Sequence, residues 1–200
     1  KVRRLDLSPS WTAAYENTAN NSTGPTAVMT YPFPEKPTIT ASYDVGTNPM
    51  GIEYDGARIW VANNGEDTVT VLSASDGSFV TTIAVGDQPT EVLFDGASIW
   101  VLNTGDDTIT KINASNQIVS GTFSTGSNPA DISFDGSRIW IANTADNSVT
   151  LLRSSDGSLI DTLPLLGAPY HLQFDGVGTW VATKETQPTV TKSNWSVTGE

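Results

Sequence analysis

One position recurs every forty residues with different chemistry at each return: Gly51, Glu91, Asp131 and His171. Two carboxylates and an imidazole are suitable ligands for a hard or borderline cation. The same groups would also hydrogen-bond a polar small molecule. The residue one step earlier varies as well (Met50, Thr90, Ala130, Tyr170) and would shape the same place. The alternative is a row of solvated, water-bridged side chains along a channel wall. Glu91 with Asp131 would serve glycoside chemistry only at a suitable separation. Little else points to catalysis. His171 is the sole histidine and there is no cysteine, so a two-histidine metal site or a thiolate nucleophile cannot be built within one chain. No Gly-x-Ser-x-Gly elbow, phosphate-binding loop or dinucleotide fingerprint occurs. The residues read as non-catalytic and imply no cofactor; whether a metal binds is left open.

A second set of candidates is acidic: Glu66, Asp67, Asp106, Asp107 and Asp146, followed at the fourth return by Lys184 and Glu185. A rim of this kind attracts cations or a basic partner through its summed field. Ordinary turn chemistry with a gain in solubility accounts for the same residues. No contiguous calcium loop of the Asp-x-Asp-x-Asp-Gly type is present.

The elements that position these residues follow from the same period. Pro49, Pro89, Pro129 and Pro169 share it, as do Trp60, Trp100, Trp140 and Trp180, and the pairs Asp55-Gly56, Asp95-Gly96, Asp135-Gly136 and Asp175-Gly176. Repetition is the first thing to seek in a chain because it dictates architecture. Within a unit, Ile52-Glu53-Tyr54 runs into a turn pair that tolerates positive φ. Arg58-Ile59-Trp60-Val61-Ala62 makes a second strand, broken at Asn63-Asn64-Gly65. Thr68-Val69-Thr70-Val71-Leu72 alternates as a half-buried third. A fourth, Phe79-Val80-Thr81-Thr82-Ile83, follows the turn at Asp76-Gly77. Four short antiparallel strands per forty residues is the pattern of a β-propeller blade, so the fold class is all-β. The tryptophans then fill gaps between blades, the other reading being an aromatic cage. Asn63, Asn103 and Asn143, replaced by Thr183 at the fourth return, are expected to satisfy turn amides.

Ile-Trp-Val-Ala-Asn at 59–63, its copies IWVLN and IWIAN, the preceding Pro and Asp-Gly and the following Thr-Val-Thr resemble the YVTN β-propeller repeat family. The resemblance covers roughly 38–193. It implies a propeller similar in architecture to streptogramin lyases and to periplasmic or surface proteins with seven blades.

The blades fall at about 47–84, 87–124, 127–164 and 167–200, and 38–46 matches the outer strand of a blade. That segment would complete the last blade, because a closed ring leaves no strand edge to recruit other chains. A closed four-bladed ring, an eight-bladed ring shared by two chains and a piece of a larger ring all fit the strand count. Residues 1–37 lie outside the period and read as an extended arm, stiffened by the prolines at 32–37. Arg3, Arg4, Leu5, Leu7, Trp11 and Tyr15 would carry its contacts, to its own propeller or to a neighbouring chain.

Ten Lys+Arg against 22 Asp+Glu leave a net charge of -12 over 200 residues. Binding to nucleic acid or an anionic membrane needs the opposite sign. No apolar run is long enough to cross a bilayer. The chain opens on Lys1, as a processed product, a trimmed chain or a fragment would. Asn-x-Ser/Thr triplets stand at Asn20, Asn21, Asn113 and Asn194. A Cys-free, Thr/Asn-rich acidic surface fits an extracellular, cell-surface or periplasmic setting. The function this implies is a non-catalytic propeller scaffold for protein or glycan binding. A structural subunit of a filament or virion-like assembly, linked through the arm, is one alternative. A cation-dependent lyase or hydrolase at the channel mouth is the other.

Overall fold

The structure is a computed structural model that describes residues 2–6, 38–184 and 190–193. It divides into two units, Lys1–Asp44 and Val45–Glu200. In the first, β1 (Val2–Asp6) pairs antiparallel with β2 (Thr38–Tyr43), with a bulge at Arg4/Leu5. The sequence assigns 38–46 to the outer edge of the last blade; within its own unit β2 pairs with β1. Of the expected arm contacts, Arg3, Arg4 and Leu5 lie in β1, while Leu7, Trp11 and Tyr15 lie outside the described residues.

The second unit holds four antiparallel sheets, each built in chain order. The first is β3 (Pro49–Tyr54), β4 (Arg58–Asn63), β5 (Thr68–Ser73) and β6 (Phe79–Ala84). The second is β7 (Pro89–Phe94), β8 (Ser98–Asn103), β9 (Thr108–Asn113) and β10 (Ile118–Ser124). The third is β11 (Pro129–Phe134), β12 (Arg138–Asn143), β13 (Ser148–Arg153) and β14 (Leu159–Pro164). The fourth, among the described residues, is β15 (Ala168–Phe174), β16 (Thr179–Lys184) and β17 (Val190–Ser193). The first strands of successive sheets are neighbours, β3 beside β7, β7 beside β11 and β11 beside β15, so they form the inner row of the propeller.

The repeated residues explain this stacking. Asp95 Oδ1 accepts the amides of Ala97 (2.9 Å) and Ser98 (2.6 Å), closing the first turn, while Oδ2 accepts the indole N–H of Trp100 at 2.7 Å. The same clasp joins Asp55 to Trp60, Asp135 to Trp140 and Asp175 to Trp180. The glycine after each aspartate has φ between 91° and 98° with open space around it, so it is required for backbone conformation and not for room. With its one polar atom satisfied, the indole is free to enter an apolar layer. Trp60 packs with Val92, Ile99 and Val101 of the next blade, Trp100 with Ile132, Ile139 and Ile141, and Trp140 with Leu172 and Val181. Their exposures are 0%, 0% and 2%, against 38% for Trp180. Among the described residues the core therefore holds three interblade layers, as a stacked-repeat architecture requires.

Asn63, Asn103 and Asn143 are fully buried, but they serve hydroxyls more than turn amides. Asn103 Nδ2 donates to Thr108 Oγ1 and Thr110 Oγ1, both at 2.9 Å, and the other two repeat this within their own blades. Only Asn143 Oδ1 also takes a loop amide, from Gly126 at 3.1 Å. Outer strands β6, β10 and β14 carry a bulge near their starts, with Val80, Ser120 and Ile160 as the extra residues. Such bulges twist an exposed edge away from further pairing.

Candidate functional site

The inner row carries the residues singled out by the period. A register shift between Pro89 and Glu91, repeated between Pro129 and Asp131 and between Pro169 and His171, sets each of these side chains just past a bulge. Bulges re-aim side chains in this way, and for Asp131 the aim is toward the next inner strand. Gly51 shows how close the strands come: a Cβ there would lie 2.7 Å from the Thr90 carbonyl oxygen and 3.0 Å from Glu91 Cα.

Asp131 uses its position to join blades. Its Oδ2 accepts the amide of Leu172, in the next blade, at 2.6 Å, and its Oδ1 accepts the amide of Ile132 at 2.9 Å. His171 Nδ1 stands 3.6 Å from Asp131 Oδ2, a distance for ionic attraction and not for a good hydrogen bond. The imidazole is 83% exposed and the Asp131 side chain 20%. Burial raises the Asp131 carboxyl above its ordinary value and outweighs the amides of Leu172 and Ile132 and the His171 charge. Glu91, half-buried, is raised first by burial and then by the Asp131 charge, with His171 opposing. The row therefore brings Asp131 and His171 together, with Glu91 within electrostatic reach. Among the described residues no group of three or more His, Cys, Asp or Glu is gathered to hold a metal ion.

An open groove of about 430 Å³ runs along Asp131, His171, Leu172, Gln173, Trp180 and Ala182. Tyr170 does not line it; its ring lies 5.7 Å from Lys184 Nζ, in cation–π range.

The acidic loops sit between the second and third strands of each blade. Asp67 Oδ1 accepts the amide of Gln88 (2.9 Å), Asp107 Oδ1 that of Asn128 (2.7 Å) and Asp146 Oδ2 that of Ser127 (2.7 Å). In the first two the acceptor belongs to one blade and the donor to the segment leading into the next. Asp67 and Asp107, both at φ 55°, meet Gln88 and Asn128 at φ 52° and 53°, conformations that Asp and Asn tolerate best among residues with a Cβ. Asp106 Oδ1 accepts the Thr108 hydroxyl at 2.7 Å, and Glu66 is exposed. Asp87 belongs to the same cluster and was missed by the sequence reading. Desolvation, followed by the like charges of Asp67 and Asp106, holds its carboxyl above the ordinary range despite the Gln88 amide. Its signal was present: an acid immediately before the residue that leads into the Pro89 strand.

Two cations were also missed. Lys111, 7% exposed, donates to the carbonyls of Ser154 (2.6 Å) and Ser155 (2.7 Å) in the next blade and lies 5.1 Å from the Trp100 ring centroid. Arg58 Nη1 donates to the Ala114 carbonyl at 3.1 Å, across the first junction. Lys111 stands where the third strands of the first and third blades carry Val71 and Leu151, and that charge at an apolar position was the readable clue.

No protein-family model matches the chain, and no curated protein matches it. Solved structures do. Hydrazine synthase from Kuenenia stuttgartiensis aligns over 78% of this chain at 19% identity and a TM-score of 0.67. This chain spans about half of that one, 49%. The computationally designed Ika4 protein aligns over 78% of this chain and 96% of its own, at 12% identity and a TM-score of 0.69. The β-propeller domain of Cps50 (Swd1) from Myceliophteria thermophila aligns over 74% of this chain and 54% of its own, at 10% identity and a TM-score of 0.62. At such identities the likeness concerns fold. The four-sheet unit, its inner row of first strands and these alignments together make the chain a β-propeller of antiparallel blades.

Proposed function

We propose that this chain is a non-catalytic propeller scaffold of the YVTN repeat kind, on an exported or surface-exposed protein, presenting its loop face to a protein or glycan. The observation that carries the reading is where the carboxylates' hydrogen bonds go. Asp131, Asp67, Asp107 and Asp146 each accept a main-chain amide, so these four carboxylates are engaged in holding the backbone. A general base needs a lone pair aimed at its substrate. What the loops leave to solvent is negative charge, concentrated around Asp67, Asp87 and Asp106. A basic segment on the partner would relieve that repulsion, and steering by the acidic field would speed its arrival.

The test is isothermal titration of the full chain with a Lys/Arg-rich peptide and, in parallel, with a panel of neutral and basic oligosaccharides. The reading expects binding by at least one of these probes that weakens with salt. Asp87→Asn with Asp106→Asn should weaken it about tenfold, with an unchanged circular dichroism spectrum. Binding indifferent to those substitutions, or binding by none of the probes, refutes the loop face as the working surface.

A further inference from the structure

The acidic loops lie at one end of each blade; the turns joining first to second and third to fourth strands make the other. At that other end the third blade pairs Arg138 of β12 directly with Arg153 of β13. The same register position holds Arg58 and Ser73 in the first blade, and Ser98 and Asn113 in the second. Like charges directly opposite each other on paired strands destabilise a sheet. Neither arginine finds a hydrogen-bonded carboxylate among the described residues. Asp135 Oδ2 is 3.7 Å from Arg138 Nη1, and it already accepts the Trp140 indole, while Oδ1 accepts the amides of Ser137 and Arg138. Asp156 Oδ2 is 3.6 Å from Arg153 Nη1, while its Oδ1 holds the amide and hydroxyl of Ser158. Both separations are ionic and too long for hydrogen bonds. Each guanidinium carries five N–H donors. Among the described residues the one hydrogen bond either side chain makes is from Arg153 Nη1 to Ser158 Oγ, at 2.7 Å.

Both arginines line one open groove of about 570 Å³, together with Ser137, Ser154, Ser155 and Ile160. A third cation touches the same turn: Lys111 holds the carbonyls of Ser154 and Ser155 at 2.6 Å and 2.7 Å. Across trans peptides the amides of Ser155 and Asp156 therefore point away from Lys111. We propose that this groove binds a tetrahedral oxyanion, a phosphate or sulfate group, between the forks of Arg138 and Arg153. Such an anion neutralises the opposed pair and accepts the N–H groups that the aspartates leave unused. A guanidinium fork binds two oxygens of a phosphate side by side. Two forks call for more acceptor oxygens than the pair on a carboxylate. Ile160, 41% exposed at the groove's edge, gives the carbon skeleton of an ester an apolar neighbour. The first two blades do not repeat the site, because the second has neither arginine and Arg58 of the first is spent on the Ala114 carbonyl. The net charge of -12 acts over distances that salt screens, so the contacts within the groove decide.

Amide NMR titrations of the full chain test this, with inorganic phosphate, inorganic sulfate, glucose phosphate and glucose sulfate, each against chloride at equal ionic strength. The expected result is saturable shifts centred on the amides of Ser137, Ser154, Ser155 and Asp156. Arg138→Gln and Arg153→Gln should each weaken binding about tenfold or more, the loss of a hydrogen bond to a charged group. Arg153 is exposed, so its variant keeps the fold, as an unchanged far-UV circular dichroism spectrum will show, and carries the test if Arg138→Gln unfolds. Melting curves give a second readout. Phosphate should raise the Tm of the parent chain and fail to raise that of Arg153→Gln. In chloride alone Arg153→Gln should not lower Tm, because it removes a like-charge opposition. Tighter binding of the glucose esters than of the inorganic ions identifies an ester as the source of the group, and the reverse identifies the free ion. No saturable shift with any of the four probes overturns the proposal, and so does saturation that Arg153→Gln leaves unchanged.

Discussion

Asp95→Ala removes one clasp and no charge pair, since Ser98 stands where the first and third blades have Arg58 and Arg138. It strands the Trp100 indole N–H, now bonded at 2.7 Å inside a residue that is 0% exposed. An orphaned buried donor costs about 1–3 kcal/mol. The Ser98 amide, bonded at 2.6 Å in a residue 7% exposed, adds about 1 kcal/mol, while exposed Ala97 finds water. The expected loss is about 3 kcal/mol, or roughly 6–12 °C in Tm for a unit of this size. Urea unfolding followed by far-UV circular dichroism measures it, with equal m-values as the condition for comparison. Trp100→Phe supplies the control. When both partners are gone no donor is orphaned, so the double variant should lose about 1–2 kcal/mol less than the sum of the singles. A loss below about 0.5 kcal/mol for Asp95→Ala, or strict additivity in the cycle, refutes the clasp as the reason the aspartate and tryptophan repeat together.

Other perturbations separate the roles of the remaining residues. Glu91 binds its proton more readily folded than unfolded, so it favours the fold below the ordinary value of 4.5, and that contribution is lost as pH rises through the folded value. Glu91→Gln should therefore raise Tm at pH 7 and leave it unchanged near about pH 3. For Asp55 and Asp135, burial pushes upward but is outweighed by hydrogen bonds from the turn amides and the tryptophan, leaving both below 3.8. Their contribution is present above 3.8 and lost as pH falls through the folded values. A pH series of melting curves should accordingly show a shallower acid limb in Asp55→Asn and Asp135→Asn. Lys111→Met should cost within about 1 kcal/mol, as an apolar side chain replaces a buried cation in the slot that Val71 and Leu151 fill elsewhere. Lys111→Ala should cost about 2–4 kcal/mol through the cavity it leaves. Denaturant midpoints distinguish the two.

The forty-residue period made the blade grammar readable because every strand depends on local alternation and on turns with explicit chemistry, as at Asp95-Gly96. What it could not reveal was direction. Asp131 and His171 were legible as a pair of groups at one level of the ring, but only the fold shows the Asp131 carboxylate reaching the Leu172 amide one blade on. The acidic loop residues were found as a set and their charge was plain. Their bonds to Gln88 and Asn128 depend on positive φ at both ends, which Asp and Asn allow without requiring and which Gln88 gives no sign of. Lys111 was overlooked because a lysine in a strand ordinarily faces water. The pairing of β2 with β1 joins segments more than thirty residues apart, at the edge of the repeated region, where the period carries no information.

The central claim is that Asp131 in the inner row and Asp67 and Asp107 in the loops are ties between blades. Amide hydrogen exchange resolved by NMR, in Asp131→Ala and Asp107→Ala, tests it residue by residue. The account predicts that Leu172 loses protection in the first variant and Asn128 in the second, with each effect confined to its own junction. Unchanged exchange at both amides would contradict it, and would return these aspartates to the pool of residues free to act on a ligand.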